Sequence, residues 1–145
     1  MVESPVGLVI VDHGGRRNAM TVSFFSEVAH HPTCLWVSIA QSSYTHELIT
    51  AARRFSLVVL HEGQKEYAIA CGTASGRETD KCASLPLYPA GPETWYLAGS
   101  FASMSCRVRS TTPVSDHTLF IADILVGELE SRASIHRHLL TTDLV

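Results

Sequence analysis

Between Asn18 and Arg54 the hydrophobic period of the chain changes, and this change constrains the fold more than any other feature. Thr33 to Ala40 alternates Leu35, Val37 and Ile39 against Cys34, Trp36 and Ser38, and both sides are apolar enough to be covered. Such a strand belongs inside a sheet, not at its edge. The polar run Gln41-Ser42-Ser43-Tyr44-Thr45 ends it. From Ser43 to Arg54 the period becomes about three and a half, with Leu48, Ile49, Ala52 and Phe55 on one stripe. Ser43 or Thr45 is the expected N-cap, and Arg53 and Arg54 suit the helix end. A strand that runs through small hydroxyl residues into a helix start offers unpaired amides and a positive dipole end to a phosphate.

The flanking segments read mostly as strands. Val6 to Val11 is a β-branched run closed by Asp12-His13-Gly14-Gly15. A second strand is expected from about Met20, with Val22, Phe24 and Val28 on one face, until His30-His31-Pro32 breaks it. Phe55 to His61 returns to a strand. Gly63 to Gly72 reads as a short helix with a glycine C-cap, and Ser75-Gly76-Arg77-Glu78 as a capping box opening another, to about Ala83. Pro86, Pro89 and Pro92 mark an irregular connection. Trp95 to Gly99, Phe101 to Arg109 and His117 to Glu130 are expected strands, the last two separated by a turn at Thr112 to Asp116. Ser131 to Val145 reads as a short amphipathic helix and tail. About six strands, two or three short helices and no regular β-α-β alternation imply a mainly β fold, a closed antiparallel barrel decorated by helices. One domain spans 1–145, with the barrel over about 5–130 and a tail over about 131–145.

Composition narrows the partners. With 46% hydrophobic and 17% charged residues the chain can bury a core, and the net charge of -3 without a Lys/Arg cluster argues against nucleic acid. The apolar run from Leu119 to Gly127 is broken by Asp123 and is too short to span a membrane, and Met1 to Pro5 lacks the pattern of a signal peptide. A cytoplasmic location is the expectation. Cys34, Cys71, Cys82 and Cys106 show no C-x-x-C spacing and read as reduced, buried thiols.

No G-x-G-x-x-G follows a strand, and there is no P-loop, H-E-x-x-H or G-x-S-x-G motif. No metal site is expected: His30-His31 falls in a turn and His136-x-His138 near the end. Asp116 and His117 are adjacent, so on a strand they face opposite ways. Asp116 reads as a turn residue and His117 as a possible pocket contact. What remains is a polar cleft between strand ends, formed by Asn18, Thr21 and Ser23 with Ser43 and Thr45.

Asn18-Ala19-Met20-Thr21-Val22-Ser23-Phe24-Phe25, His31-Pro32, Ser38-Ile39-Ala40, Tyr44 to Ile49, Cys71 to Lys81 with its Ser-Gly-Arg-x-x-Asp-Lys element, Cys106-Arg107-Val108 and Asp116 to Ile121 together resemble the flavin reductase-like family, and most closely its flavoredoxin and ferric-reductase branch. The similarity runs from about Pro5 to Glu130. The resemblance implies an FMN-binding split β-barrel, a homodimer, and electron transfer from NAD(P)H through flavin to free flavin, ferric iron or a protein partner. A non-catalytic, flavoredoxin-like electron carrier is the alternative. Under this resemblance the backbones of Asn18, Ala19, Met20 and Thr21 and of Ser38, Ile39 and Ala40 hold the flavin ring. Ser43, Tyr44 and Thr45 hold the phosphate, Lys81 places a charge near the cofactor, and His117 is the nicotinamide contact. One departure stands out: the family's apolar, aromatic closing segment is replaced here by Ser131 to Val145 with His136-Arg137-His138.

Overall fold

The computed structural model describes residues 3–129 and 137–144. Its strands are β1 (Gly7–His13), β2 (Arg16–Val22), β3 (Phe25–His30), β4 (Thr33–Ala40), β5 (Arg54–Val59), β6 (Leu87–Gly91), β7 (Thr94–Leu97), β8 (Ala102–Val114) and β9 (His117–Leu129). The helices are α1 (Tyr44–Ala52) and α2 (Lys65–Thr73). Seven strands form one antiparallel sheet in the order β2-β1-β5-β8-β9-β4-β3, and β6 and β7 make a separate hairpin.

The two outermost strands of the large sheet, β2 and β3, are joined only by Ser23 and Phe24. So short a link reaches roughly 10 Å, which forces the sheet to curl until its edges meet. β2 comes against β4 at this seam, yet no hydrogen-bonded ladder joins the edges among the described residues. The result is a split β-barrel, not a fully closed one.

Period-two alternation sorts the side chains into two cores. Val9 and Val11 of β1 and Phe55 and Leu57 of β5 point into the barrel with Leu35, Val37, Ile39, Val108 and Phe120. Leu48 and Ile49 of α1 close this interior core. Leu8 and Ile10, with Val58 and Leu60, face outward into a second core under α2, the β6–β7 hairpin and Leu139. β1 and β5 are therefore apolar on both faces.

Several expectations are corrected. The strand expected to run on from Met20 is two strands on opposite edges, and Phe24 and Val28 are exposed. Gly72 lies inside α2, which ends at Ala74 in an extended conformation, so it is no C-cap. The Ser75 to Glu78 stretch is a turn: the Ser75 hydroxyl accepts from the Arg77 amide and the Ser75 carbonyl from the amides of Glu78 and Thr79. A serine that can bond its own local backbone favours such turns over helix. The helix expected up to about Ala83 is only a 3₁₀ turn, Lys81–Ser84, capped by Asp80. The proline-rich connection is the β6–β7 hairpin, where Pro89 is tolerated because a two-stranded sheet has only edges. Thr112 to Val114 belong to β8.

In the tail, His138 and Leu140 bridge to His61 and Pro5, and Leu139 is fully buried. A 3₁₀ turn covers Thr141–Leu144, and residues 131–136 and 145 of the expected helix and tail lie outside the described residues. The four cysteines are free and buried. No helix among the described residues is long and apolar enough to cross a membrane.

Two predictions follow from the cores. Leu48→Ala empties the plug of the interior core, and loss of about 2–5 kcal/mol is expected in urea unfolding. Burial pushes the Cys106 thiol up to about 12 and Cys82 to about 11, from a usual 9.0. The folded chain holds protons that the unfolded chain releases, so this stabilisation is complete below pH 9 and declines as pH rises through those values. Unfolding free energies measured at pH 8 and pH 10 should therefore fall, with the decrease lessened in Cys106→Ala.

Candidate functional site

A cleft of about 340 Å³ follows the free edge of β2. Asn18, Met20 and Thr21 form one wall, Ser42, Ser43, Tyr44 and Thr45 the start of α1 another, and Cys71 to Arg77 with Lys81 the third. The chain brings these together because β2 lacks a strand on its outer side, and α1 and α2 pack there instead. The Thr21 hydroxyl fixes α2 by donating to the Ala68 carbonyl.

Asn18 is at the centre. It is 2% exposed, and its Nδ2 donates to Thr45 Oγ1 at 2.8 Å. Its Oδ1 is buried with no hydrogen-bond partner among the described residues. An unmatched buried carbonyl oxygen costs about 1–3 kcal/mol, so this atom calls for a donor from a ligand. Gly76 packs directly on the same amide, and any Cβ there would overlap Asn18 Oδ1 and Cγ. Glycine is required by this close approach, which shapes the loop around the asparagine.

The charges are placed at the cleft's walls. Lys81 is 8% exposed and donates from Nζ to the Cys71 carbonyl at 2.9 Å. Desolvation lowers its pKa, partly offset by the neighbouring thiols of Cys71 and Cys82. One carbonyl leaves an ammonium with further donors, so an acceptor or anion in the cleft would complement it. Arg77 lies 5.3 Å over the Tyr44 ring and 3.9 Å from the Glu47 carboxylate. Ser43 caps α1: its hydroxyl donates to the Ala40 carbonyl and accepts from the His46 amide. The amides of Tyr44 and Thr45 have no carbonyl to meet within the helix and remain for a ligand.

Of the residues expected from sequence, Asn18, Met20, Thr21, Ser43, Tyr44, Thr45 and Lys81 line this cleft. The others do not. The side chain of Ala19 is buried in the outer core, because odd positions of β2 face that way. Ile39 is buried inside the barrel, the Ser38 amide already donates to the Phe24 carbonyl, and Ala40 pairs with His117 in the β4–β9 ladder. His117 is outside the cleft. Its ring lies 5.7 Å from that of Phe24, and its Nδ1 is 2.9 Å from Asp116 Oδ1. The two adjacent side chains meet, against expectation, because Asp116 sits in the turn and not on the strand.

Sequence reasoning missed Ser42 and the wall from Cys71 to Arg77. The Ser-Gly-Arg-x-x-Asp-Lys spacing carried the signal, but its reading as a capping box concealed it. Among the described residues no group of three or more His, Cys, Asp or Glu is placed to hold a metal ion.

A flavin fits these features: it brings N–H and ribityl O–H donors for Asn18 Oδ1, and a phosphate for the amides at the start of α1. Gly76→Ala should shift Asn18 and reduce flavin uptake at least tenfold, while circular dichroism retains the native β signature. Unchanged uptake in a fluorescence titration would show that the loop does not shape the site.

Comparison with known proteins agrees. The model of the flavin reductase like domain matches residues 1–141. An NADH-dependent flavin reductase, StyB, from Pseudomonas fluorescens is 34% identical over 110 residues, which cover 76% of this chain and 62% of that protein. The chain thus spans less than two thirds of that relative's length. An FMN-binding protein from Thermus thermophilus superposes with a TM-score of 0.85 at 27% identity, covering 90% of this chain and 74% of the other. Flavoredoxin from Methanosarcina acetivorans gives a TM-score of 0.83 at 25% identity, covering 89% and 70%. With its split barrel and its match along nearly the whole chain, this protein belongs to the flavin reductase-like family.

Proposed function

We propose that the cleft along β2 binds the FMN unit and that the chain is a flavin reductase-type oxidoreductase. It takes electrons from NAD(P)H and delivers them to free flavin, ferric iron or a protein partner. The observation that carries the reading is Asn18 Oδ1, a buried acceptor without a protein donor, set in a cleft walled by the Ser75 to Lys81 element. StyB, an NADH-dependent flavin reductase, and the Thermus FMN-binding protein support the donor and the cofactor.

Bound flavin supplies hydride and electron transfer, so the chain needs no nucleophile of its own. The amides of Tyr44 and Thr45, with the Arg77 guanidinium, hold the phosphate end. Thr45 holds Asn18 by accepting its amide N–H, which keeps Oδ1 turned to the ring or ribityl donors. Lys81 supplies positive charge from the buried side, and Met20 gives an apolar contact surface. Glu47 draws Arg77 toward the helix and keeps it beside Tyr44. His117 has no part in this arrangement.

Homodimer formation belongs to the same reading. Phe24 and Val28 on the β3 side, and Leu125, Val126 and Leu129 on β9, are large apolar side chains left exposed. Four buried free thiols fit a reducing, cytoplasmic setting.

The similarity to flavoredoxin favours a second reading, an FMN-holding electron carrier that does not react with NAD(P)H. The flavin-loaded protein should oxidise NADH or NADPH when free flavin or ferric iron is supplied, followed by loss of nicotinamide absorbance. No oxidation with any acceptor would reject the reductase and leave the carrier. Thr45→Ala removes the partner of Asn18 and should weaken FMN binding about tenfold by fluorescence titration. An unchanged affinity would mean that the Thr45 contact to Asn18 does not hold the flavin.

A further inference from the structure

Thr45 and His46, adjacent in the first turn of α1, are anchored to different strands. Thr45 Oγ1 accepts the Asn18 amide from β2 at 2.8 Å. His46 turns away from the cleft, and its Nε2 shares a hydrogen bond of 2.8 Å with Thr118 Oγ1 on β9. β9 is paired with β4, which β2 meets at the open seam, so this one turn of helix spans the seam.

The surroundings of His46 hold its ring in place. Its centroid lies 5.6 Å from that of the buried Phe120, with the rings inclined at 63°, and Thr118 is buried. Together they line a groove of about 200 Å³ on the far side of α1 from Tyr44, with Arg53 as the other charged or titratable group on it. Burial lowers the His46 pKa from its usual 6.5, so the ring is neutral at pH 7 and acts through a directional bond, not through charge. The backbone amide of the same residue donates to Ser43 Oγ at 3.1 Å. One residue therefore ties the helix cap to the strand.

Apolar packing alone does not fix where this turn points. Leu48 and Ile49 plug the barrel, but burial is non-directional and tolerates a small rotation of the helix about its axis. Hydrogen bonds are less tolerant: an N–H must stay within about 3 Å of its acceptor and close to aligned with it. A rotation that leaves the core intact thus carries the Tyr44 and Thr45 amides off a bound phosphate. We propose that His46, through Thr118, is the positioning residue for the phosphate end of the cleft and makes the site selective for phosphorylated flavin. This role rests on the FMN reading given above, whereas the hold of His46 on the turn can be measured without flavin.

The test uses the full chain with His46→Leu, His46→Gln and Thr118→Val. Glutamine carries an Nε2 as many bonds from the backbone as that of histidine, so it can still meet Thr118, and valine keeps the shape of threonine without its hydroxyl. Each variant is titrated by fluorescence with FMN and with riboflavin, which lacks the phosphate. FMN affinity should fall about tenfold in His46→Leu and Thr118→Val and stay within about twofold of wild type in His46→Gln, with riboflavin affinity constant throughout. Equal losses for the two flavins would mark a general disturbance of the fold, and unchanged FMN affinity in His46→Leu and Thr118→Val an idle bond. Either result overturns the role. Uptake of neither flavin by the wild type would sink the FMN reading, and the hold on the turn is then decided by hydrogen exchange at the Glu47 amide, which donates to the Ser43 carbonyl. Protection lost in His46→Leu and restored in His46→Gln supports that hold; equal protection in all variants removes it.

Discussion

The unpaired outer edge of β2 is the constraint on which this structure depends. Every backbone amide and carbonyl needs a partner, and an open sheet edge normally finds one in another strand. Here the chain passes from β2 to β3 through two residues, which brings the sheet's two edges together without a ladder between them. The edge is covered instead by α1 and α2, with the turn from Ser75 to Thr79 beside them. Helices and turns cover an edge less completely than a strand does, and the remaining space is the cleft that contains Asn18.

The two-core arrangement makes this tolerable. Because β1 and β5 are buried on both faces, the edge strand β2 is anchored from within the barrel through Val22 and from outside through Ala19. A seam can stay open where the strands beside it are held by packing on both sides. The same alternation that sends Ala19 outward presents Asn18 and Met20 at the cleft, so the site and the second core come from one short strand.

Much of this was legible from residue order. β4 was readable from end to end because period two with apolar residues on both faces admits little else, and the start of α1 followed from Ser43 and the change of period. Two of the misread segments share a physical cause: local patterns were decided by distant partners. The alternation that seemed continuous through Phe24 hides a crossing between opposite sheet edges, which no local pattern reports. Ser75 and Glu78 carry the residues of a capping box, but the serine bonds its own turn and Gly76 must lie against Asn18, a residue 58 positions earlier. Ser38 to Ala40 were sound as a strand end, and the partners of their backbone, Phe24 and β9, become visible only in the fold. Asn18 itself was found from sequence, but its buried, unmatched oxygen is a property of the fold.

The central claim is that the cleft on the β2 edge is a flavin site. The most direct measurement is gel filtration of the purified chain after incubation with FMN, with visible absorption followed across the protein peak. The account predicts a yellow protein peak that carries flavin in proportion to chain. A colourless protein peak, with all the flavin eluting free, would contradict it.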